Sequence, residues 1–115
     1  MSAVKQYRDF KSFYPYYLTE HSDPVNRMLH FTGTLLLIVS LVLGIMTGKW
    51  LFFVMIPVLG YGFAWVGHFF IEKNKPATFT YPIYSLASDF VMFWHTITGQ
   101  ISKKMQEAQR KSNQQ

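Results

Sequence analysis

Four histidines, His21, His30, His68 and His95, are the residues of this sequence best suited to chemistry. Cysteine is absent, which removes disulfides, iron–sulfur clusters, thiolate zinc sites and a cysteine nucleophile. Imidazole with carboxylate and no thiolate suits iron, zinc or another divalent first-row metal. Acids and amides stand close to these rings. Glu20 adjoins His21, Asn26 lies four residues before His30, and Glu72 lies four residues after His68, followed by Lys73 and Asn74. Spacing of four puts each of the latter pairs on one helical face. Tyr84, Asp89 and His95 come from a third stretch. A lone histidine at a helix end is more often an interfacial hydrogen-bonder than a ligand. Metal binding is therefore expected of the set, and no spacing here has the specificity of a zincin or a zinc finger.

The elements that must position these rings are apolar. Met28 to Gly48 and Trp50 to Ile71 contain no Asp, Glu, Lys or Arg. Each run exceeds the roughly 18 residues at which a membrane span becomes the default reading. Only the segment around Lys49 separates them, which predicts a tight antiparallel hairpin, with Pro57 kinking its second helix. His30 stands 19 residues before Lys49 and His68 stands 19 residues after it. At the helical rise both rings lie roughly 28 Å from the turn, about one hydrocarbon thickness, and so at one depth. Asp23-Pro24 is a good helix start and leaves His21 just outside the helix, free to fold back.

A third stretch carries Ile83, Leu86, Phe90, Trp94, Ile97 and Ile101 as a helical stripe, with polar residues down another side. It is expected to be an amphipathic helix that lies in the interface or spans only partly. Tyr7, Phe10, Phe13, Tyr14, Tyr16 and Tyr17, set among basic residues, have the composition of an aromatic belt at the headgroup level. The expected fold is thus an all-α integral membrane protein forming one domain over 1–115. It comprises an interfacial helix at about 4–20, spans at 24–48 and 50–72, a third helix at 82–106 and a polar tail at 107–115. Neither run is expected to be a signal peptide, because the first follows a stretch that holds acids, prolines and many tyrosines rather than a short basic leader.

Composition agrees with this reading. Of 115 residues, 50% are hydrophobic and only 15% are charged, which leaves too little polar surface for a soluble domain of this size. The net charge of +5 fits attraction to an anionic membrane surface better than binding to nucleic acid. Lys5, Arg8, Lys11, Arg27, Lys73 and Lys75 flank the histidine end of the hairpin, and Lys49 alone marks its turn. The positive-inside rule then makes the N-terminus and the histidine end cytoplasmic. Gly60-x-Gly62 within an apolar run is a packing notch, not a phosphate loop.

Two blocks resemble a known family. Tyr17-Leu18-Thr19-Glu20-His21-Ser22-Asp23-Pro24-Val25-Asn26-Arg27-Met28-Leu29-His30 is the first, and Gly60-Tyr61-Gly62-Phe63-Ala64-Trp65-Val66-Gly67-His68 continuing through Glu72-Lys73-Asn74-Lys75-Pro76 is the second. With Tyr81-Pro82-Ile83-Tyr84-Ser85-Leu86 and Asp89-Phe90 they are similar to the family of the yeast 2-hydroxy-palmitic acid dioxygenase, over about residues 7 to 100. The resemblance implies an iron(II)-dependent dioxygenase that shortens a 2-hydroxy fatty acid by one carbon with release of carbon dioxide. It implies His21, His30 and His68 as ligands of Fe(2+), with His95 the next best match, and an endoplasmic reticulum membrane, or an inner membrane for a bacterial chain.

On that reading a 2-hydroxy acid offers the metal its carboxylate and α-hydroxyl. Three protein ligands leave room for that chelate and for dioxygen. Arg27 or Lys73 is the expected partner of the substrate carboxylate, with Asn74 and Tyr84 also expected near the substrate. Glu72 or Asp89, with Glu20 and Asn26 nearby, is expected to orient the imidazoles. Two other readings stand beside it. One is a small haem-binding cytochrome with His30 and His68 as axial ligands, and the other is a non-catalytic membrane protein whose histidines only hydrogen-bond. Chain length, oligomeric state and the number of irons are not encoded in any motif.

Overall fold

A computed structural model describes residues 7–114, all of whose regular elements are helical. Residues 4–6 of the expected N-terminal helix, Lys5 among them, lie outside the described residues. Helix α1 (Phe10–Thr19) starts where the Asp9 carboxylate accepts from Ser12 N at 2.8 Å. Helix α2 (Pro24–Thr47) starts the same way, with Asp23 accepting from Val25 N at 2.8 Å and Pro24 in the first turn. It stops at Gly48, whose φ of 72° is a conformation glycine adopts without a Cβ penalty.

Helix α3 (Trp50–Val66) follows at once, passes through Pro57 without ending, and continues as a π-helical turn, Gly67–Glu72. It packs along α2. Gly44 faces Phe53, Ser40 Oγ donates to Phe52 O at 2.7 Å, Gly33 faces Phe63, and Asn26 meets Gly67. Partners advance along one helix as they retreat along the other, which brings the start of α2 beside the end of α3. Both helices, counting the π turn with α3, are long and apolar enough to cross a membrane. In the most apolar stretch of each, only 28% of the residues of the first and 11% of the second are buried within the protein, and many apolar side chains face outward.

A short 3₁₀ turn, Ala77–Phe79, leads to α4 (Pro82–Ile97) and then α5 (Ile101–Asn113). The single helix expected over 82–106 is therefore two. Gly99, at φ 76°, breaks it, and the segment expected to be a polar tail from 107 is helical through Asn113. Ile101, Met105 and Ala108 give α5 one apolar stripe, which covers α1. The aromatic residues of α1 also differ from expectation. Phe13, Tyr14, Tyr17 and Leu18 are buried with Ala77, Met92 and Ala108 in a core between α1, α4 and α5, instead of being presented outward as a belt. This core braces the histidine end of the hairpin.

Candidate metal centre

Each of three histidines is placed by a different local device. Past α1 the chain curls, with Glu20 N bonded to Tyr16 O and Tyr17 O, and His21 N bonded to Leu18 O at 3.0 Å. His21 therefore folds back, its ring stacked on Tyr17 with centroids 4.0 Å apart. Its Nδ1–H donates to Tyr17 O at 2.6 Å, because a carbonyl can only accept. Arg27 Nη1 donates to His21 O at 2.8 Å and to Ser22 O at 2.9 Å, closing the loop from the other side.

His30 lies one turn beyond Asn26 on α2, with Nδ1 3.5 Å from Asp89 Oδ1 of α4. The same carboxylate oxygen accepts from the Tyr17 hydroxyl. His68 lies in the π turn, where an i→i+5 pattern re-aims side chains relative to an α-helix. The turn closes through Lys73 in the left-handed conformation (φ 58°), so that Asn74 N donates to His68 O at 2.9 Å. Asn74 Nδ2 donates to Glu20 O at 3.1 Å, which turns its Oδ1 towards His68 to accept from Nδ1–H at 2.7 Å.

Nδ1–H of His21 and of His68 is donated to an oxygen and Nδ1 of His30 faces a carboxylate, which leaves the Nε2 lone pairs available. His21 Nε2 and His30 Nε2 are buried and have no hydrogen-bond partner. Such orphans call for an explanation, and a metal ion is one. The ring centroids lie 4.3 Å (His21–His30), 4.4 Å (His21–His68) and 5.0 Å (His30–His68) apart, each pair edge to face. One ring nitrogen from each lies within 4.8 Å of the others, close enough to hold a single metal ion. All three residues are buried, at 0%, 5% and 2% exposure. Burial, and then the facing imidazoles of His30 and His68, hold His21 well below the usual histidine range, so it is neutral and ready to donate a lone pair. Burial, and then the Asp89 charge, push the Tyr17 phenol well up, so its proton stays on to donate to Asp89.

Among the described residues, the Glu72 carboxylate makes no hydrogen bond to an imidazole. It accepts from Asp23 N at 3.2 Å, Ser22 Oγ at 3.2 Å and Asn26 Nδ2 at 3.3 Å, tying the π turn to the start of α2. Asn26 is fully buried in that joint, and a Cβ at residue 67 would overlap its side-chain oxygen, so glycine is required there. Glu20 serves through its backbone carbonyl, and Asn74, expected near the substrate, holds His68 instead. Arg27 Nη1 holds the loop carbonyls, Lys73 is exposed, and Tyr84 donates to Arg8 O at 2.9 Å. His95 stands apart from the other three, its Nδ1 bonded to the Tyr14 hydroxyl at 2.8 Å.

Two cavities adjoin the cluster. One of about 20 Å³ is lined by Tyr17, His30, His68, Ser85 and Asp89 among others. The second, of about 200 Å³, starts at His30 and Asp89 and runs between α2, α3 and α4. The hydroxyls of Ser85 and Ser88, 3% and 0% exposed, also have no hydrogen-bond partner. Sequence reasoning did not assign Tyr17 or Ser85 to the site. Tyr17 was readable as the residue four before His21, whereas no spacing points to Ser85.

No curated protein and no solved structure gives a significant match to the chain. A family model does. That described as 2-hydroxy-palmitic acid dioxygenase Mpo1-like matches residues 7–101, a span that holds all three grouped histidines. The chain therefore belongs to the Mpo1-like family, whose name is that of a dioxygenase acting on a 2-hydroxy fatty acid.

Proposed function

We propose that the protein is a membrane-embedded, iron(II)-dependent dioxygenase that converts a 2-hydroxy fatty acid and dioxygen into the one-carbon-shorter acid, carbon dioxide and water. The observation that carries the reading is the convergence of His21, His30 and His68, each anchored at Nδ1, with buried, unpartnered Nε2 atoms on His21 and His30. The donor set fits a divalent first-row metal with open coordination positions. Iron, when bound, supplies the redox chemistry for dioxygen, which zinc in the same ligand set lacks. The stoichiometry balances without a further reductant, because the substrate releases four electrons and one dioxygen accepts four.

The chain's own residues keep the donors in place. Asn74 locks the tautomer of His68, and the Tyr17 carbonyl locks that of His21. Asp89, itself held by the Tyr17 hydroxyl, faces Nδ1 of His30 and orients that ring. Ser85 presents a free hydroxyl in the small cavity between His30 and His68, where it can bond an oxygen of the substrate head. A haem between His30 and His68 is disfavoured, since the third imidazole, edge to face with both, occupies the space a macrocycle would need.

The hairpin spans the bilayer on this reading, with Lys49 at the far side and the histidines near the cytoplasmic boundary. Arg27, Lys73 and Lys75 gather at that end, in support of the orientation. Helix α4, at 16 residues or roughly 24 Å, falls short of a hydrocarbon core of about 30 Å, which supports an incompletely spanning helix. The functional test is iron content and dioxygen uptake by the purified protein with 2-hydroxy and unsubstituted fatty acids. Stoichiometric iron and uptake matched by carbon dioxide release, only with the 2-hydroxy acid and lost in His68→Ala, are expected. Metal-free protein, or uptake unchanged in His68→Ala, would overturn the reading.

A further inference from the structure

We propose that the 200 Å³ cavity between α2, α3 and α4 seats the alkyl chain of the substrate, and that Gly60 sets how much chain it admits. The head-group chemistry rests on the function proposed above, while the seat itself rests on other residues. The small and large cavities share His30, Tyr61 and Asp89 in their linings, so the large one has its polar end beside the histidines. Away from that polar end the walls turn apolar. They pass through Thr34 to Leu37 on α2, meet Gly60, Pro57 and Ile56 on α3, and are flanked by Leu86 on α4. A single polar end followed by an apolar trough matches an amphiphile with one charged head.

The dimensions are those of part of a chain. His30 and Leu37 are seven residues apart on α2, roughly 10 Å along its axis. That is shorter than an extended long-chain acyl group, and the volume lies below the roughly 300 Å³ at which pockets enclosing a whole drug-sized ligand begin. The distal carbons must therefore leave the cavity. Leu86 and Phe90 are 50% and 39% exposed on the side that hydrocarbon covers, so the trough opens laterally and the chain enters from the bilayer.

Gly60 controls the depth. A Cβ there would stand 3.1 Å from Leu37 Cδ1, so a branched side chain at residue 60 crowds Leu37 and fills the trough at that level. Its place within an apolar run, which first suggests a helix-packing notch, is also what keeps the trough open.

The test measures binding and turnover of short- and long-chain 2-hydroxy fatty acids bearing a terminal photoreactive diazirine, with the iron-loaded protein in lipid nanodiscs. Wild type, Gly60→Val and Leu86→Trp are compared, the last narrowing the trough from an exposed position that does not disturb the α2–α3 contact. In wild type the short-chain probe is expected to label peptides containing Leu37 and Pro57. The long-to-short binding ratio is expected to fall by about tenfold or more in both variants, as removing room for one or two methylenes implies. Labelling spread over the outer face of the hairpin, or a ratio unchanged in both variants, would overturn the proposal even if turnover proceeds. Labelling at the trough with no turnover of any 2-hydroxy acid would instead remove the dioxygenase reading and leave the alkyl seat standing.

Discussion

Replacing Asn74 by alanine removes two contacts that act on one ring. The amide accepts from His68 Nδ1–H at 2.7 Å and donates to Glu20 O at 3.1 Å, joining the π turn to the loop that carries His21. Without the acceptor, a buried imidazole N–H is left unsatisfied, which costs about 1–3 kcal/mol. The ring can avoid that cost by adopting the other tautomer, but Nε2 then carries the proton and can no longer bind a metal. Either way metal affinity falls, and the range corresponds to a loss of about 10–100-fold, the usual effect of removing an outer partner of a ligating histidine. Asn74→Asp separates the two contacts. A carboxylate restores the acceptor for His68 with a stronger bond, yet cannot donate to Glu20 O. Anaerobic titration with iron(II) or cobalt(II), beside a thermal melt of the metal-free protein, should show low affinity in the alanine variant. The aspartate variant should recover affinity while still melting below wild type. Wild-type affinity in Asn74→Ala would refute the idea that this amide sets the His68 donor.

Gly67→Ala drives a methyl group into the Asn26 side chain, and overpacking of this kind costs about 1–3 kcal/mol, to be read as a lower melting temperature together with weakened metal binding. His95→Ala should leave metal content at the wild-type level, because that ring pairs with Tyr14 away from the cluster, and metal analysis of the variant checks this. Acid should destabilise the metal-free protein. His21 is held below its ordinary value by burial, so the unfolded chain binds more protons than the folded one, and stability present above about pH 6.5 is lost as pH falls through and below that value. Melting temperatures of wild type and His21→Gln across that window should converge at low pH.

The hairpin was legible because it is written over some twenty residues at a time. The absence of charge sets its two rods, Asp23-Pro24 marks the start of the first and Gly48 its end, and the apolar runs leave only a few residues for a turn. The candidate site was legible in its residue types and less so in their roles. Spacing of four pairs His68 with Glu72 on an α-helix, but the π turn breaks that periodicity. Glu72 then goes to Asp23 and Asn26, and Asn74 takes the imidazole. A one-residue change in hydrogen-bond register exchanges the two roles, and no composition signal announces it. Arg27 has a structural role the sequence did not announce: its Nη1 holds the carbonyls of its own loop, which only the folded loop shows. His95 was grouped with the other histidines because the path of α4 across α2 is a tertiary property. The stripe of Ile101, Met105 and Ala108, by contrast, could have been read as a helix covering α1, with Gly99 as the break before it.

The central claim is one metal ion held by His21, His30 and His68. X-ray absorption at the iron edge of the anaerobically loaded protein tests it most directly. The account predicts one iron per chain with three imidazole nitrogens in its coordination shell, and loss of bound iron in His21→Ala, His30→Ala and His68→Ala alike. A shell without imidazole scattering, or full iron content in any of those variants, would contradict it.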